Sequence, residues 1–303
     1  MEKKIILVTG ASGGIGRVTA LELAKQGHHV IVHGRSVEKT KAVCNEIISA
    51  GGSSEMFTAD LSLMPEVKAF ADKIAAKYDH INVLVNNAGG QFGSVRETTS
   101  EGHEKTFAIN VLAPFLLTNL LLPLLKKSVS GRVVTVSSES YKMGGKPLWD
   151  DIELEKHYSL TKSYGLSKLF VWWLMRRFAA KLEKEGVKNV TVNTCEPGSA
   201  VTDLQRVSGN GLFMKILTFL WKPMMWSVEE AAATSVYLAT SPEVEGVTGR
   251  FFGKCREKQI KENKEKELRD QLAQAVSEEN FELAAKLRDE IKALEAKNET
   301  EGK

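Results

Sequence analysis

The sequence predicts a doubly wound α/β fold, a mostly parallel sheet with helices on both faces, extended by an α-helical hairpin at the C-terminus. Three observations carry this expectation. Short continuous apolar runs alternate with helical spacing, the first run opens into a glycine-rich turn, and the composition changes sharply near Cys255. Strands that are apolar on both faces need helices on either side of the sheet, the arrangement of parallel α/β proteins. Ligands then bind in the crevice at the carboxyl ends of the strands.

Ile5-Ile6-Leu7-Val8 is the first buried-strand pattern, and residues 17–26 follow with helical spacing of Val18, Leu21 and Leu23. The unit repeats. Val30-Ile31-Val32 leads to a helix at 37–50, the run 81–85 to a helix at 101–125, and Val133-Val134-Thr135-Val136 to a helix around 164–182. Val190-Thr191-Val192-Asn193 is the last expected strand.

The 43% hydrophobic and 26% charged fractions exclude collagen-like, largely disordered and disulfide-scaffold classes, while 303 residues allow one large domain or two. The average hides a seam. From Lys254 to Lys303 half of the residues are charged, 12 basic and 13 acidic, and this stretch has no proline and only Gly302 as glycine. A body over 1–255 and a tail over 256–303 are therefore expected. A net charge of +3 without a basic tract argues against nucleic-acid binding. Cys44, Cys195 and Cys255 form no metal-ligand spacing, so no metal is expected and the thiols read as idle in a reducing compartment. Met1-Glu2-Lys3-Lys4 runs straight into the first apolar run, which leaves no room for a signal peptide and predicts a cytoplasmic protein. The apolar stretches 111–125 and 212–226 are broken by Pro114, Asn119, Pro123 and by Lys215, Lys222, Pro223, and each falls short of the ~20 residues of a spanning helix. No membrane span is expected, although the second stretch has the makings of a surface contact.

The first strand ends in Thr9-Gly10-Ala11-Ser12-Gly13-Gly14-Ile15-Gly16 and opens a helix, as a pyrophosphate site requires. Glycines permit close backbone approach, and the helix N-terminus offers free N–H groups and positive potential. Farther along come Asp60-Leu61, Asn86-Asn87-Ala88-Gly89, Asn110, Ser138, Tyr164 with Lys168, Pro197-Gly198 and Thr202. Together, in this order, these motifs resemble the short-chain dehydrogenase/reductases, and the segment after Thr202 resembles the retinol-dehydrogenase-like branch of that family.

The resemblance covers residues 3–255 and implies a Rossmann-type oxidoreductase. It makes Gly10, Ser12, Gly13, Gly14, Ile15 and Gly16 the pyrophosphate turn and sets Asp60-Leu61 against adenine, with Asn87, Ala88 and Gly89 supporting the strand beside the cofactor. Pro197, Gly198 and Thr202 would flank the nicotinamide, Thr202 at its carboxamide. Lys168 would bind the nicotinamide ribose, Ser138 the substrate oxygen, and Asn110 would help hold the lysine and a relay water. Ser137 and Ser138 are adjacent and only one faces the crevice; family spacing selects Ser138 and leaves Ser137 as the alternative. Tyr164 and Lys168, four apart, share one helix face. A phenol with a pKa near ~10 is a poor base, and a neighbouring ammonium favours the phenolate, so Tyr164 is expected to be the general acid/base.

Cofactor choice follows from the second strand. Val32 leads into His33-Gly34-Arg35-Ser36 without a carboxylate before Glu38, whereas NAD sites commonly place an acid there. Arg35 suits a 2′-phosphate, so NADP(H) is expected. Arg17 beside the turn is a second candidate cation, with a solvated first-turn residue as the equal alternative.

Residues 203–227 are rich in Leu, Phe, Met and Trp and fall where the family carries its lid, which points to a small hydrophobic carbonyl or alcohol as substrate. Packing on the domain or on a partner subunit is the alternative. In the tail, Leu268, Leu272, Ala275 and Val276 form one stripe, and Phe281, Ala284, Leu287, Ile291 and Leu294 another. A hairpin of this size is too small to stand alone and must dock on the body, on a second copy, as in a coiled-coil homo-oligomer, or on another protein. Residues 266–297 resemble the UVR motif, a helical-hairpin interaction module of bacterial nucleotide-excision-repair proteins and some stress regulators. That resemblance implies protein association through the tail. Two functions are thus expected in order: an NADP(H)-dependent carbonyl reductase or alcohol dehydrogenase, and an NADP(H)-sensing protein that recruits a partner. The Ser138, Tyr164 and Lys168 set favours the enzyme, because a sensor needs no proton donor.

Overall fold

The computed structural model describes residues 3–198 and 227–258 and, in the tail, 282–283, 285–290 and 292. The apolar runs become strands β1 (Ile5–Val8), β2 (His29–Gly34), β4 (Val83–Asn86), β5 (Gly131–Val136) and β6 (Val190–Cys195). They are joined by β3 (Ser53–Thr58), β7 (Phe251–Gly253) and β8 (Arg256–Glu257) in one sheet of order β3-β2-β1-β4-β5-β6-β7-β8. All neighbours pair in parallel except β7 with β8. The chain winds outward from β1 to β3 and then returns across it to β4, so the strand order reverses between β1 and β4. A crevice opens at such a reversal.

Helices α1 (Gly14–Lys25), α2 (Val37–Ser49), α3 (Met64–Lys77), α5 (Ala113–Lys126), α6 (Leu160–Lys184) and α7 (Val228–Thr240) cover the sheet, and a short α4 (Lys105–Phe107) precedes α5. Alternation along each strand divides the core in two. Leu7, Ile31, Leu84, Val133 and Val192 face Phe70, Leu117, Leu121 and Phe178 of α3, α5 and α6. Ile6, Val8, Val32, Val85 and Val134 face Leu23, Ile47 and Leu238 of α1, α2 and α7. Each fully buried side chain of this size contributes about 1.5–3 kcal/mol, so the two layers fix where the strand ends lie.

Several elements differ from the sequence reading. β3 is a half-exposed edge strand of sequence SSEMFT, without the continuous apolar run of the central strands. α3 has Val67, Phe70, Ala71 and Ile74 at helical spacing, and α7 starts with a capping box in which Ser227 and Glu230 satisfy each other's backbone N–H groups. The helix expected over 101–125 starts at Lys105 instead, because the Glu104 carboxylate caps Thr106 N and Phe107 N at 2.9 and 2.8 Å. It also contains a π-helical stretch, Ala108–Leu112. The run Lys105–Lys126 is long and apolar enough to cross a membrane by length and composition; here Leu117, Leu121 and Leu125 belong to the core under the sheet.

The contacts divide the chain into Met1–Lys258 and Gln259–Lys303, three residues beyond the compositional seam, because β8 still pairs with β7. In the tail, the described residues are helical, Leu287 is buried, and Glu282 and Lys286 pair at 3.3 Å one turn apart. The expected first tail helix and turn lie outside the described residues.

Candidate active site

The end of β1 is stapled to the end of β4. Thr9 Oγ1 donates to the Val85 carbonyl at 3.2 Å and accepts from Asn87 N and Ala88 N, both at 3.0 Å. Asn87 Nδ2 returns to the Thr9 carbonyl at 2.9 Å and the Gly10 carbonyl at 3.3 Å. Gly10 has φ +65°, and a Cβ there would lie 2.8 Å from Ala88 Cα. A Cβ on Gly16 would land on the Asn87 amide and the Gly10 carbonyl, so both positions need glycine. Gly13 begins α1 without a side-chain cap, and the helix has no acidic residue in its first turn. Its first N–H groups therefore face the crevice available to an anion.

A cleft of about 450 Å³ lies over this turn. Gly10, Ser12 to Gly16, Arg35, Asp60, Leu61, Asn87 to Gly89, Tyr164, Lys168 and Pro197 line it, from the ends of β1, β2, β3, β4 and β6 and from α6. Among the expected residues, Ser138 and Gly198 line an adjoining cavity of about 470 Å³, and Asn110 lies buried behind the cleft. Thr202 lies outside the described residues, as does the lid except Ser227.

Arg35 stands at one rim, 74% exposed and 3.7 Å from Asp60, so its guanidinium is open to solvent. Asp60 accepts from Ser62 N and Oγ at 2.9 and 2.7 Å. Burial works against its charge, but these bonds and Arg35 prevail and hold its pKa below the usual carboxylate value. Arg17, the other candidate cation, is engaged elsewhere: its guanidinium contacts both Glu46 oxygens at 2.6 Å, across to α2.

Three residues organise this rim in ways that the motifs do not show. His33 Nδ1 accepts from Gly10 N at 3.2 Å, and its Nε2 then carries the proton to the Ala59 carbonyl at 3.2 Å. One buried imidazole thereby joins the exits of β1, β2 and β3, and burial lowers its pKa to about 4. Phe92 and Ile109 add apolar walls beside Gly90. No histidine spacing signals this role; only the tertiary neighbours create it.

At the other end, Ser137 and Ser138 diverge. Ser137 Oγ is buried and donates to the Lys168 carbonyl at 2.7 Å, while Ser138 Oγ donates to Ser140 Oγ and accepts from Ser140 N, both at 3.1 Å, and lies near enough to the Tyr164 hydroxyl to act on its pKa. The loop after Ser138 is pressed against α6, where a Cβ on Gly165 would lie 2.7 Å from Gly144 Cα. Lys168 Nζ lies 5.6 Å from the centre of the Tyr164 ring and donates to the Val136 carbonyl at 3.2 Å. Asn110 accepts from Gly90 N and donates to the Gly90 carbonyl and Ser167 Oγ, each at 2.9 Å. Its amide clamps Gly90 rather than the lysine; the two meet only at Gly89, where a Cβ would lie 2.8 Å from Asn110 Oδ1 and 3.4 Å from Lys168 Nζ.

Burial raises the Tyr164 pKa, with the nearby Ser138 hydroxyl opposing it, so the resting phenol is protonated. Burial also lowers Lys168 to about 8, which leaves it mostly an ammonium at neutral pH, beside the phenol. The arrangement suits a proton donor above a serine hydroxyl that can orient an oxygen. Among the described residues no group of acidic, histidine or cysteine side chains could hold a metal ion.

The family model for short chain dehydrogenases matches residues 4–211, and that for the UvrB/uvrC motif matches residues 262–297. The chain is 38% identical to mouse (Mus musculus) retinol dehydrogenase 14 over 277 residues, covering 86% of this chain and 80% of that one. It is 35% identical to the chloroplastic short-chain dehydrogenase TIC 32 B of Brassica napus over 260 residues, covering 82% of this chain and 79% of that one. A short-chain dehydrogenase of Escherichia coli, complexed with NADPH, superimposes with a TM-score of 0.66 at 26% identity, over 84% of this chain and 98% of that one. One from Shigella flexneri, complexed with NADP, gives 0.65 at 25% identity, again over 84% and 98%. With its glycine turn, its Ser138–Tyr164 pair and these relatives, the chain belongs to the short-chain dehydrogenase family, on its retinol-dehydrogenase-like side, and carries a UVR motif in its tail.

Proposed function

We propose that the chain is an NADP(H)-dependent oxidoreductase that interconverts a hydrophobic carbonyl compound and its alcohol. The observation that carries this reading is the placement of Tyr164 and Lys168, with Lys168 Nζ 5.6 Å from the Tyr164 ring, in a cleft that starts on an uncapped glycine turn, with Ser138 close to the phenol. The cleft fits the dinucleotide: Gly10 and Gly16 leave room for backbone approach, and Arg35 offers a solvent-facing cation for a 2′-phosphate. The NADPH in the E. coli structure and the NADP in the S. flexneri structure support the same choice.

When bound, the cofactor supplies or accepts the hydride at the carbonyl carbon. Ser138 orients the carbonyl oxygen, and Tyr164 donates its proton to that oxygen as charge develops there. Lys168 stabilises the phenolate left behind, which is reprotonated from solvent; oxidation of the alcohol runs the proton the other way. Phe92, Ile109 and Val136 give the cleft apolar walls suited to a hydrophobic substrate. The UVR-like tail is assigned to association, with a second copy or another protein.

Steady-state NADPH oxidation over a panel of hydrophobic aldehydes and ketones tests the enzyme. Turnover that disappears in Tyr164→Phe with NADPH binding retained supports it. Tight NADPH binding with no turnover on any carbonyl supports the cofactor-sensing alternative.

A further inference from the structure

Lys258 closes the body of the chain, beyond every motif of the dehydrogenase, yet its ammonium lies between two loops of the active site. Nζ donates to Glu196 Oε1 at 2.6 Å and to Glu139 Oε1 at 2.7 Å. Glu139 directly follows Ser138 and begins the 3-10 turn Glu139–Met143. Glu196 directly precedes Pro197, which lines the cofactor cleft, and its other oxygen accepts from Gly198 N at 2.6 Å.

We propose that Lys258 is a positioning residue: an ion-pair clamp directly after the last strand of the body that sets the Ser138 loop and the Pro197–Gly198 loop relative to each other. The two loops leave neighbouring strands β5 and β6, and β6 in turn neighbours β7, the partner of β8, so Lys258 reaches both from the sheet edge. The charges are unequal in ways that matter. Glu139 is half exposed and has a second cation in Lys142 at 3.4 Å, whereas the Glu196 side chain is 3% exposed. Without Lys258 the buried Glu196 carboxylate keeps only the Gly198 N–H and must turn toward water, which releases Gly198 and with it Pro197. Gly253 belongs to the same device, because a Cβ there would land on Glu196 Oε1 and on the Lys258 stem. The Lys258 backbone is fixed as well, by its N–H on the Phe251 carbonyl at 2.8 Å.

The clamp rests on the reading that this cleft takes NADPH, so its test needs one measurement with the cofactor and one without. In the full chain, Lys258→Met should weaken NADPH binding, followed by tryptophan fluorescence, by about tenfold, since small displacements of positioning loops are amplified at such sites. Lys258→Arg should restore it to within about threefold. In the ligand-free protein, Lys258→Met should speed amide hydrogen exchange in peptides covering 138–143 and 196–198, with little change in peptides from β1 and α1. The double variant Lys258→Met/Glu196→Gln removes the unpaired carboxylate; its thermal midpoint and the exchange at 196–198 should recover, while exchange at 138–143 and cofactor binding, which need the two loops held together, stay impaired. Arg250→Met, which breaks the edge pair Arg250–Glu257 at 3.6 Å, controls for loss of any surface ion pair. Wild-type exchange at both loops in Lys258→Met, or binding restored in step with stability in the double variant, overturns the clamp. Failure of the wild-type chain to bind NADPH would instead overturn the proposed function and leave the exchange result to decide the clamp.

Discussion

The Ser137 hydroxyl donates to the main-chain carbonyl of Lys168 at 2.7 Å, whereas its neighbour Ser138 bonds Ser140 Oγ at 3.1 Å and lies near enough to Tyr164 to oppose the rise in its pKa. Ser138 itself is extended, with φ −164° and ψ 150°, so consecutive side chains point to opposite sides. Two adjacent serines thus have separable effects. Ser138→Ala should lower kcat by about 10²-fold or more with NADPH affinity nearly unchanged, because it removes an oxygen-orienting donor. Ser137→Ala should keep most of the turnover and cost about 1 kcal/mol of stability for the lost buried hydrogen bond. Equal losses of kcat in the two variants would reverse the assignment.

Arg35 offers the rim of the cleft its positive charge, since Arg17 is spent on Glu46 at 2.6 Å. Arg35→Asp would set a second carboxylate beside Asp60, and both would repel a 2′-phosphate. The ratio of kcat/KM for NADPH over NADH should fall by about 10²-fold, close to 3 kcal/mol of discrimination. Arg17→Ala should leave that ratio within about twofold and loosen only the α1–α2 surface, as exposed pairs contribute about 1 kcal/mol or less. A large loss of NADPH preference in Arg17→Ala would show that the cation is released from Glu46 on binding.

What the sequence discloses here is set by how local each signal is. The central strands and the glycine turn are legible because continuous apolar runs and a strand-turn-helix order are properties of a few adjacent residues. β3 and β8 lie at the sheet edges with partly exposed or exposed faces, and they leave no apolar run to read. The π-helical stretch at Asn110 follows no residue pattern in the helix itself; it accompanies the bonds of that amide to Gly90, 20 positions away. His33 and Lys258 show the same limit at the site. Each connects loops that are distant in sequence, and the Lys258 partners lie 62 and 119 positions back along the chain.

Lys168 illustrates a cost borne for function. Its side chain is buried, with Val136 O at 3.2 Å as a neutral acceptor, and burial lowers its pKa from 10.5 to about 8. Because the folded protein binds this proton less tightly than the unfolded chain, stability should rise with pH between about 8 and 10.5. At neutral pH the buried ammonium costs the fold about 3 kcal/mol. Lys168→Met should therefore raise the thermal midpoint by several degrees while turnover falls by about 10³-fold. A destabilised Lys168→Met would mean that the ammonium is a net structural contributor, contrary to the burial argument.

His33 should make the cofactor rim sensitive to acid. Its Nδ1 must stay unprotonated to accept from Gly10 N at 3.2 Å, and its pKa is lowered from 6.5 to about 4, chiefly by burial, with the Ala59 bond and Asp60 opposing. Between those two values the unfolded chain takes up a proton that the folded protein refuses. The stabilisation is therefore complete above pH 6.5 and is lost as pH falls toward 4, a change of about 3 kcal/mol. His33→Gln keeps an acceptor for Gly10 and a donor for Ala59 without titrating. Urea unfolding at about pH 7 and about pH 4.5 should show the wild type losing roughly 2–3 kcal/mol more than this variant over that interval. The detached Gly10 turn should also weaken NADPH binding in the wild type over the same range, and less in the variant. Parallel losses in the two proteins would remove His33 as the cause.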